Sequence, residues 1–389
     1  MNLPAGAATE ARTGQPLAIS LAAGVPDAVD RLAAAVDPDQ AFLRAAWFRA
    51  AGAESTLLVQ GANGAPLAAF PTIGAGPKAI GARAVAGSYW PFRTVPISPR
   101  LGDPHLQSVL ADERTRAALG PLWRVGPFYE DDPGGARLIE AAKKAGWTAL
   151  TRSIGETYLL EVAELRAQGP WPRPSTLKRI RNYERQLGDV SYERVSGSGW
   201  SAAVFDALAE VEAASWIAAR TDRSGAKFLN KSSRAFWERA SADPALAEMM
   251  SALILSVGGK PAAFCFDLNV GTLQYSIAGS YDAALAKLKP GKIATYRNIE
   301  WALERGITRI DWGAGDGGYK REMGAAKGPS IADCLFVRSG FVASMLRPRW
   351  ERPVRDGSGD DGRKLPLSRR ELLLLASLIT AAAAGALAE

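Results

Sequence analysis

The sequence is poor in the residues that most often carry metal, redox or nucleophilic chemistry. Of 389 residues, one is histidine and two are cysteine. A histidine-rich metal site is excluded, and a Ser-His-Asp triad would have to use His105. That residue sits in Gly102-Asp103-Pro104-His105 and reads as an exposed loop histidine. Cys265 and Cys334 cannot build a disulfide framework. Both lie in apolar, strand-like runs, which points to a reducing compartment. No P-loop pattern G-x-x-x-x-G-K-[ST] occurs. No base-stacking aromatic motif accompanies the basic residues, so no DNA partner is expected.

What is present describes an ordinary globular chain. The apolar share is 47% and the charged share 22%, which excludes a disordered chain and a polytopic membrane protein. The length suits two domains of about 150 to 200 residues each. The formal charge of +7 is a mild basic excess that suits anionic ligands such as nucleotides or phosphates. The first 40 residues are rich in Ala, Gly and Pro without a basic-then-apolar leader pattern, and read as a flexible segment of a cytoplasmic protein. At the other end, residues 351–389 read as a linker and an apolar helix. From Leu372 to Ala388 there is no charge, and Arg363, Lys364, Arg369 and Arg370 precede the run. Seventeen residues is at the short edge of a membrane span. The run reads either as a docked Ala/Leu helix or as a peripheral membrane contact through residues 372–388.

Between these ends, strand and helix signals alternate. Residues 41–165 open with a hairpin, Thr56–Gln60 and Pro66–Phe70 around Gly61-Ala62-Asn63-Gly64. A strand at 122–125, a helix at 136–145 ended by Gly146 and a strand at 149–154 follow. Residues 166–200 hold a basic helix over 175–187, with Leu177, Ile180, Tyr183 or Glu184, and Leu187 as its apolar stripe. Lys178, Arg179, Arg181 and Arg185 lie largely off that stripe. Residues 201–350 repeat the plan: helices at 201–220 and 232–242, strands Ala252–Val257, Pro261–Leu268 and Thr272–Ser280, a helix from Lys289 to Glu304, and strands Ile307–Trp312 and Ile331–Arg338. Ile139–Thr148 and Ile299–Thr308 agree at five of ten positions, both as a helix end running into a strand. Together with the order of elements around it, this reads as a duplication.

Two constellations could carry chemistry. At Lys289-Pro290-Gly291-Lys292 a helix N-terminus exposes backbone N–H groups and the positive end of the dipole, with lysines around it. This could hold a pyrophosphate, or it could be helix-initiation chemistry on a wet surface. Then Asp311-Trp312-Gly313-Ala314-Gly315-Asp316-Gly317-Gly318-Tyr319-Lys320 delivers an acid, a phenol and an amine in a strand-end loop. Asp311 could act as general base or only cap the loop. Tyr319 could be an acid or packing, and Lys320 could meet an oxyanion or a phosphate.

Tyr275 to Asp282, Pro290-Gly291, Glu300, Gly306, Asp311, Gly313, Tyr319 and Lys320, taken in order, resemble the CelD/BcsL-type acetyltransferases of the GNAT superfamily, which are similar to the FemAB peptidyl-transferase group. The resemblance spans about residues 40 to 350 and is densest from 250 to 340. It implies an α/β (α+β) fold of two tandem GNAT-like units, each a mixed, mostly antiparallel sheet flanked by helices. The first, 41–165, would be degenerate and the second, 201–350, the acyltransferase. It also implies acetyl-CoA or another acyl-CoA as co-substrate, without a metal. The pantetheine arm would lie between the strands Thr272–Ser280 and Ile307–Trp312, against Tyr275 and Ile277, with the pyrophosphate on Lys289, Pro290, Gly291 and Lys292. The chain departs from the usual loop [RQ]-x-x-G-x-[GA], carrying Leu288-Lys289-Pro290-Gly291-Lys292-Ile293 instead. Asp311, Tyr319 and Lys320 would be catalytic, and Lys178, Arg179, Arg181, Tyr281 and Asp282 would bind a small-molecule or saccharide acceptor. The runner-up readings are a FemAB-like transferase using aminoacyl-tRNA and a non-catalytic accessory protein of exopolysaccharide synthesis.

Overall fold

The computed structural model describes residues 17–352 except Tyr89, residues 219–224 and residues 316–317. The sequence readings for residues 1–16 and for the tail, including 372–388, lie outside the described residues. Among those described, no helix is long and apolar enough to cross a membrane.

The chain divides into two compact units, residues 17–154 with 331–352, and residues 155–330. The first begins with β1 (Ala18–Ala23), α1 (Ala28–Ala33), α2 (Ala45–Ala50), β2 (Ser55–Gln60), β3 (Pro66–Gly74) and β4 (Arg83–Val85). It continues with α3 (Asp103–Ala111), α4 (Glu113–Leu119), β5 (Leu122–Tyr129), α5 (Pro133–Lys144) and the start of β6 (Thr148–Glu161). The second unit holds α6 (Val162–Ala167), α7 (Pro174–Leu187), β7 (Val190–Ser196), α8 (Ala202–Ala214), α9 (Lys231–Ser241) and α10 (Pro244–Met249). Then come β8 (Met250–Val257), β9 (Lys260–Val270), β10 (Leu273–Tyr281), α11 (Pro290–Glu304), β11 (Arg309–Ala314) and α12 (Tyr319–Glu322). β12 (Ala326–Val337) leads back to the first unit, which α13 (Gly340–Trp350) ends.

Strand order in the first unit is β1-β2-β3-β4-β5-β12-β6, with β4 and β5 parallel and β1 to β4 antiparallel. In the second it is β6-β11-β10-β9-β8-β7, with only β10 and β11 parallel. Each unit is thus a mixed, mostly antiparallel sheet with helices, as expected. The matched segments also behave alike. Gly146 and Gly306 both take positive φ, 87° and 83°, because a left-handed residue must close each helix. The next amide reaches back identically in both: Trp147 N–H to Ala142 O and Ile307 N–H to Ala302 O, each at 3.0 Å.

The boundaries differ from those expected. Residues 18–33, placed in a flexible lead-in, form β1 and α1; β1 pairs with β2 over six positions, a long-range pairing that composition does not reveal. The basic helix α7 is part of the second unit, anchored by buried Ile180 in the core with Ile293, Leu253 and Leu160. Residues 331–350, assigned to the second domain, belong to the first because β12 pairs antiparallel with β5. His105 is in the first turn of α3 rather than a loop, since Pro104 starts a helix there.

The first unit's core holds a buried charge cluster. Asp333 is fully buried and takes Arg124 Nη2 and Arg152 Nη2, each at 2.6 Å. The Trp350 ring lies 4.2 Å from the Arg152 guanidinium carbon and 5.5 Å from that of Arg124. Replacing Asp333 by leucine leaves two buried guanidiniums without their anion, so unfolding free energy in urea should fall by about 3–5 kcal/mol. A fall below about 1 kcal/mol would mean that the carboxylate is not what holds them.

Candidate active site

The second unit opens where its one parallel strand pair stops. β10 and β11 share three register positions, Leu273–Arg309, Gln274–Ile310 and Tyr275–Asp311, and pair no further. Both strands are irregular at that level. β10 bulges against β9 between Ser276 and Ala278, and β11 shifts against β6 between Asp311 and Ala314. A bulge re-aims side chains and ends pairing. Beyond Tyr275 and Asp311 the backbone edges of two strands therefore face a gap, with Ile277 at the bulge, 7% exposed. Tyr275, expected to touch a cofactor, is fully buried at the last registered pair.

α11 begins beside this gap. Lys289 is the one non-glycine residue at positive φ among those described, 57°, and turns the chain into the helix with Pro290 at its first position. No side chain caps α11, so the dipole's positive end is open. Gly291 is required there: a β-carbon would fall 2.6 Å from Cδ1 of Tyr281, whose ring packs on the turn. Lys289 is exposed, whereas Lys292 is half-buried and pairs with Glu322 at 3.2 Å. Asp282 caps the short helix after β10, accepting the Ala284 N–H at 2.8 Å. Of the residues expected to bind acceptor, Tyr281 and Asp282 thus shape the turn, while Lys178, Arg179 and Arg181 are exposed on α7.

Two expected catalytic residues are committed elsewhere. Lys320 is buried, and its Nζ donates to the carbonyl oxygens of Trp312, Gly313, Ala314 and Gly315 at 2.8, 3.1, 3.3 and 2.6 Å. An ammonium has three hydrogens, and this one is saturated by the loop, so Lys320 is a clamp and not an oxyanion donor. Asp311 is fully buried and accepts the Gly313 N–H at 2.7 Å; it shapes the same loop. Tyr319 is the one that remains at the surface. It is 47% exposed, edge-on to Trp312 at 6.3 Å. Desolvation by the protein around its hydroxyl, then the charges of Cys265 and Asp267, push its phenol up to about 12. It is a protonated donor at neutral pH.

The sequence reading missed Asp267. It is the lone acid in the apolar strand β9, fully buried, and it accepts from Ser276 Oγ and Asn298 Nδ2, each at 2.8 Å. Burial raises its carboxyl to about 7 against these hydrogen bonds. Ser276, half-buried at the bulge, connects that carboxyl to the gap. A single acid inside Ala262–Val270 was the available signal. Further along α11, Arg297 grips Glu184 with two bonds of 2.7 Å and Glu300 with a third. These residues line an open groove of about 1010 Å³ between α7, α11, β7 and β8. Burial alone would raise Glu184; the Arg297 and Tyr192 hydrogen bonds hold it below its usual range. The groove sits at the C-terminal half of α11, about 15 Å along the helix from Pro290.

Two predictions follow from the geometry. Lys320→Met orphans four carbonyls and should lower stability by about 2–3 kcal/mol; unchanged stability with lost turnover would instead make Lys320 catalytic. Asp267 titrates at about 7 folded against 3.8 for the free side chain. The native state therefore holds the extra proton between about pH 4 and 7, and stability should fall as pH rises through that window, then level off. In urea unfolding at pH 5, 6, 7 and 8, Asp267→Asn should remove this slope, and an equal slope in the variant would rule the assignment out.

Residues 174–321 match the family described as Acetyltransferase (GNAT) domain. No curated protein matches the chain in sequence. Among solved structures, a tandem GNAT protein from the clavulanic acid biosynthesis pathway is 12% identical over 83% of this chain and 99% of that one, with a TM-score of 0.49. L-PGS from Bacillus licheniformis is 12% identical over 81% and 92%, with a TM-score of 0.49. FemX is 11% identical over 75% and 90%, again at 0.49. The matched segment runs from the start of α7 into α12 and contains the gap, the open helix N-terminus and Tyr319.

Proposed function

We propose that the second unit transfers an acyl group from acyl-CoA to an amine or hydroxyl of a sugar, polysaccharide precursor or small molecule. The observation that carries this is the parting of β10 and β11 beside the uncapped N-terminus of α11, with a protonated phenol at its edge. Pantetheine is an extended chain with amide groups, and unpaired strand edges are the natural partners for it. The pyrophosphate would rest on the Gly291 and Lys292 N–H groups, with Lys289 beside them. The saccharide acceptor class follows from the resemblance to the CelD/BcsL type, and exposed Lys178, Arg179 and Arg181 would meet its charge.

In this reading the acceptor attacks the thioester carbonyl and the oxyanion meets a backbone N–H at the β10 bulge. The acceptor's proton passes through Ser276 Oγ to Asp267. The C–S bond then breaks and the CoA thiolate takes a proton from Tyr319, which solvent restores. Asp267 with Ser276 replaces Asp311 as base, because Asp311 is buried against Gly313. The backbone replaces Lys320, because its ammonium is saturated.

One observation favours a FemAB-like aminoacyl-tRNA donor. Pro290 has no N–H, so the α11 turn offers fewer donors than an ordinary acyl-CoA loop. Thermal unfolding with acetyl-CoA, longer acyl-CoAs and free CoA separates the two. A CoA ligand at a hundredfold its Kd should add about 2.7 kcal/mol, and Lys289→Ala with Lys292→Ala should abolish the gain. Tyr319→Phe should then lower kcat by about a hundredfold at unchanged KM for the acyl donor. No shift with any CoA species would overturn the acyl-CoA reading, and turnover only with charged tRNA would establish the other.

A further inference from the structure

α13 has two very different faces. Val342, Ala343, Leu346 and Trp350 are buried. Trp350 is pinned over the Arg124 and Arg152 guanidiniums that clamp Asp333, so the helix is fixed to its unit at its last turn. On the outer side, Phe341, Met345 and Pro348 recur at i, i+4 and i+7, one stripe of the helix. Phe341 is 64% exposed and Met345 43%. A helix fixed this firmly that still turns a phenylalanine and a methionine into water has a surface made to meet something apolar.

The charge around the stripe identifies that surface. Arg349 and Arg352 are exposed beside it, and Arg347, also exposed, pairs with Glu351 at 2.6 Å. From Arg347 to Glu371 the chain carries eight basic residues against five acidic ones, and the uncharged run 372–388 follows. Apolar side chains ringed by arginine and continuous with a basic, then apolar, stretch complement one environment on both counts: anionic headgroups above acyl chains. At eleven residues α13 is far too short to span. We propose that α13 seats its Phe341–Met345–Pro348 face on an anionic phospholipid surface, as an interfacial contact separate from any made by residues 372–388.

Sedimentation of the full chain with vesicles tests this. Vesicles of phosphatidylcholine with about one third phosphatidylglycerol should pellet the protein, vesicles of phosphatidylcholine alone should not, and added salt should release it. Phe341→Ser with Met345→Ser should weaken binding at unchanged melting temperature. Arg349→Gln with Arg352→Gln should weaken it about fivefold per charge. Leu373→Asp with Leu374→Asp, which disables the tail alone, should leave binding to the anionic vesicles measurable. Three results would each overturn the proposal: equal binding to neutral vesicles, no binding to either, or loss of binding only in the tail variant. The last would mean that the tail alone meets lipid.

Discussion

The second unit depends on one ammonium group. Lys320 reaches back from α12 and gathers four consecutive carbonyls, Trp312 to Gly315, at the end of β11. A carbonyl keeps a second lone pair, and β11 still meets β6 at Ala314, so the clamp shapes the chain just after Asp311, the last residue that pairs with β10. The same clamp fixes the start of α12 and thereby Tyr319, one residue earlier. Asp311 works from the other side, holding the Gly313 amide. Charge that the sequence offered for chemistry is used instead to build the loop, since burial of both groups requires such partners.

The regular elements were legible because periodicity and punctuation agree. Pro174, Pro290 and the Gly146 and Gly306 closures mark helix ends by dihedral constraint alone, and the two matched helix-to-strand corners share the same closing hydrogen bond. The unit boundary was not legible. β12 returns to β5 across some two hundred residues, and nothing local in Ala326–Val337 distinguishes a strand that stays from one that goes back. β1 was lost for a related reason. Its Ala-rich residues have weak strand preference, and its pairing with β2 is what makes it a strand.

At the site, residue types were readable but roles were not. Asp311, Tyr319 and Lys320 share one short loop, and only geometry separates the two that are buried and hold the loop from the one that faces outward. Asp267 is the converse case: a strand acid with no motif around it, made titratable near neutrality by burial and wired to the bulge through Ser276. Spacing cannot reveal this, because Asp267 and Ser276 meet across strands and Asn298 joins from α11.

The two carboxylates show how differently burial acts on an acid with and without cationic partners. Asp333 in the first unit is as buried as Asp267, yet two guanidiniums lie within 2.6 Å and compensate its charge. Asp267 is hydrogen-bonded by neutral partners, Ser276, Asn298 and Gln274, and the cationic influence of Arg305 on it is weak. Neutral hydrogen bonds do not offset the loss of hydration for an ion, so the proton is retained until about pH 7. A carboxyl left at that point costs stability whenever it ionises, and apolar β9 would pack well without it. Its position beside the parting of β10 and β11 is where the proposed proton transfer would use it.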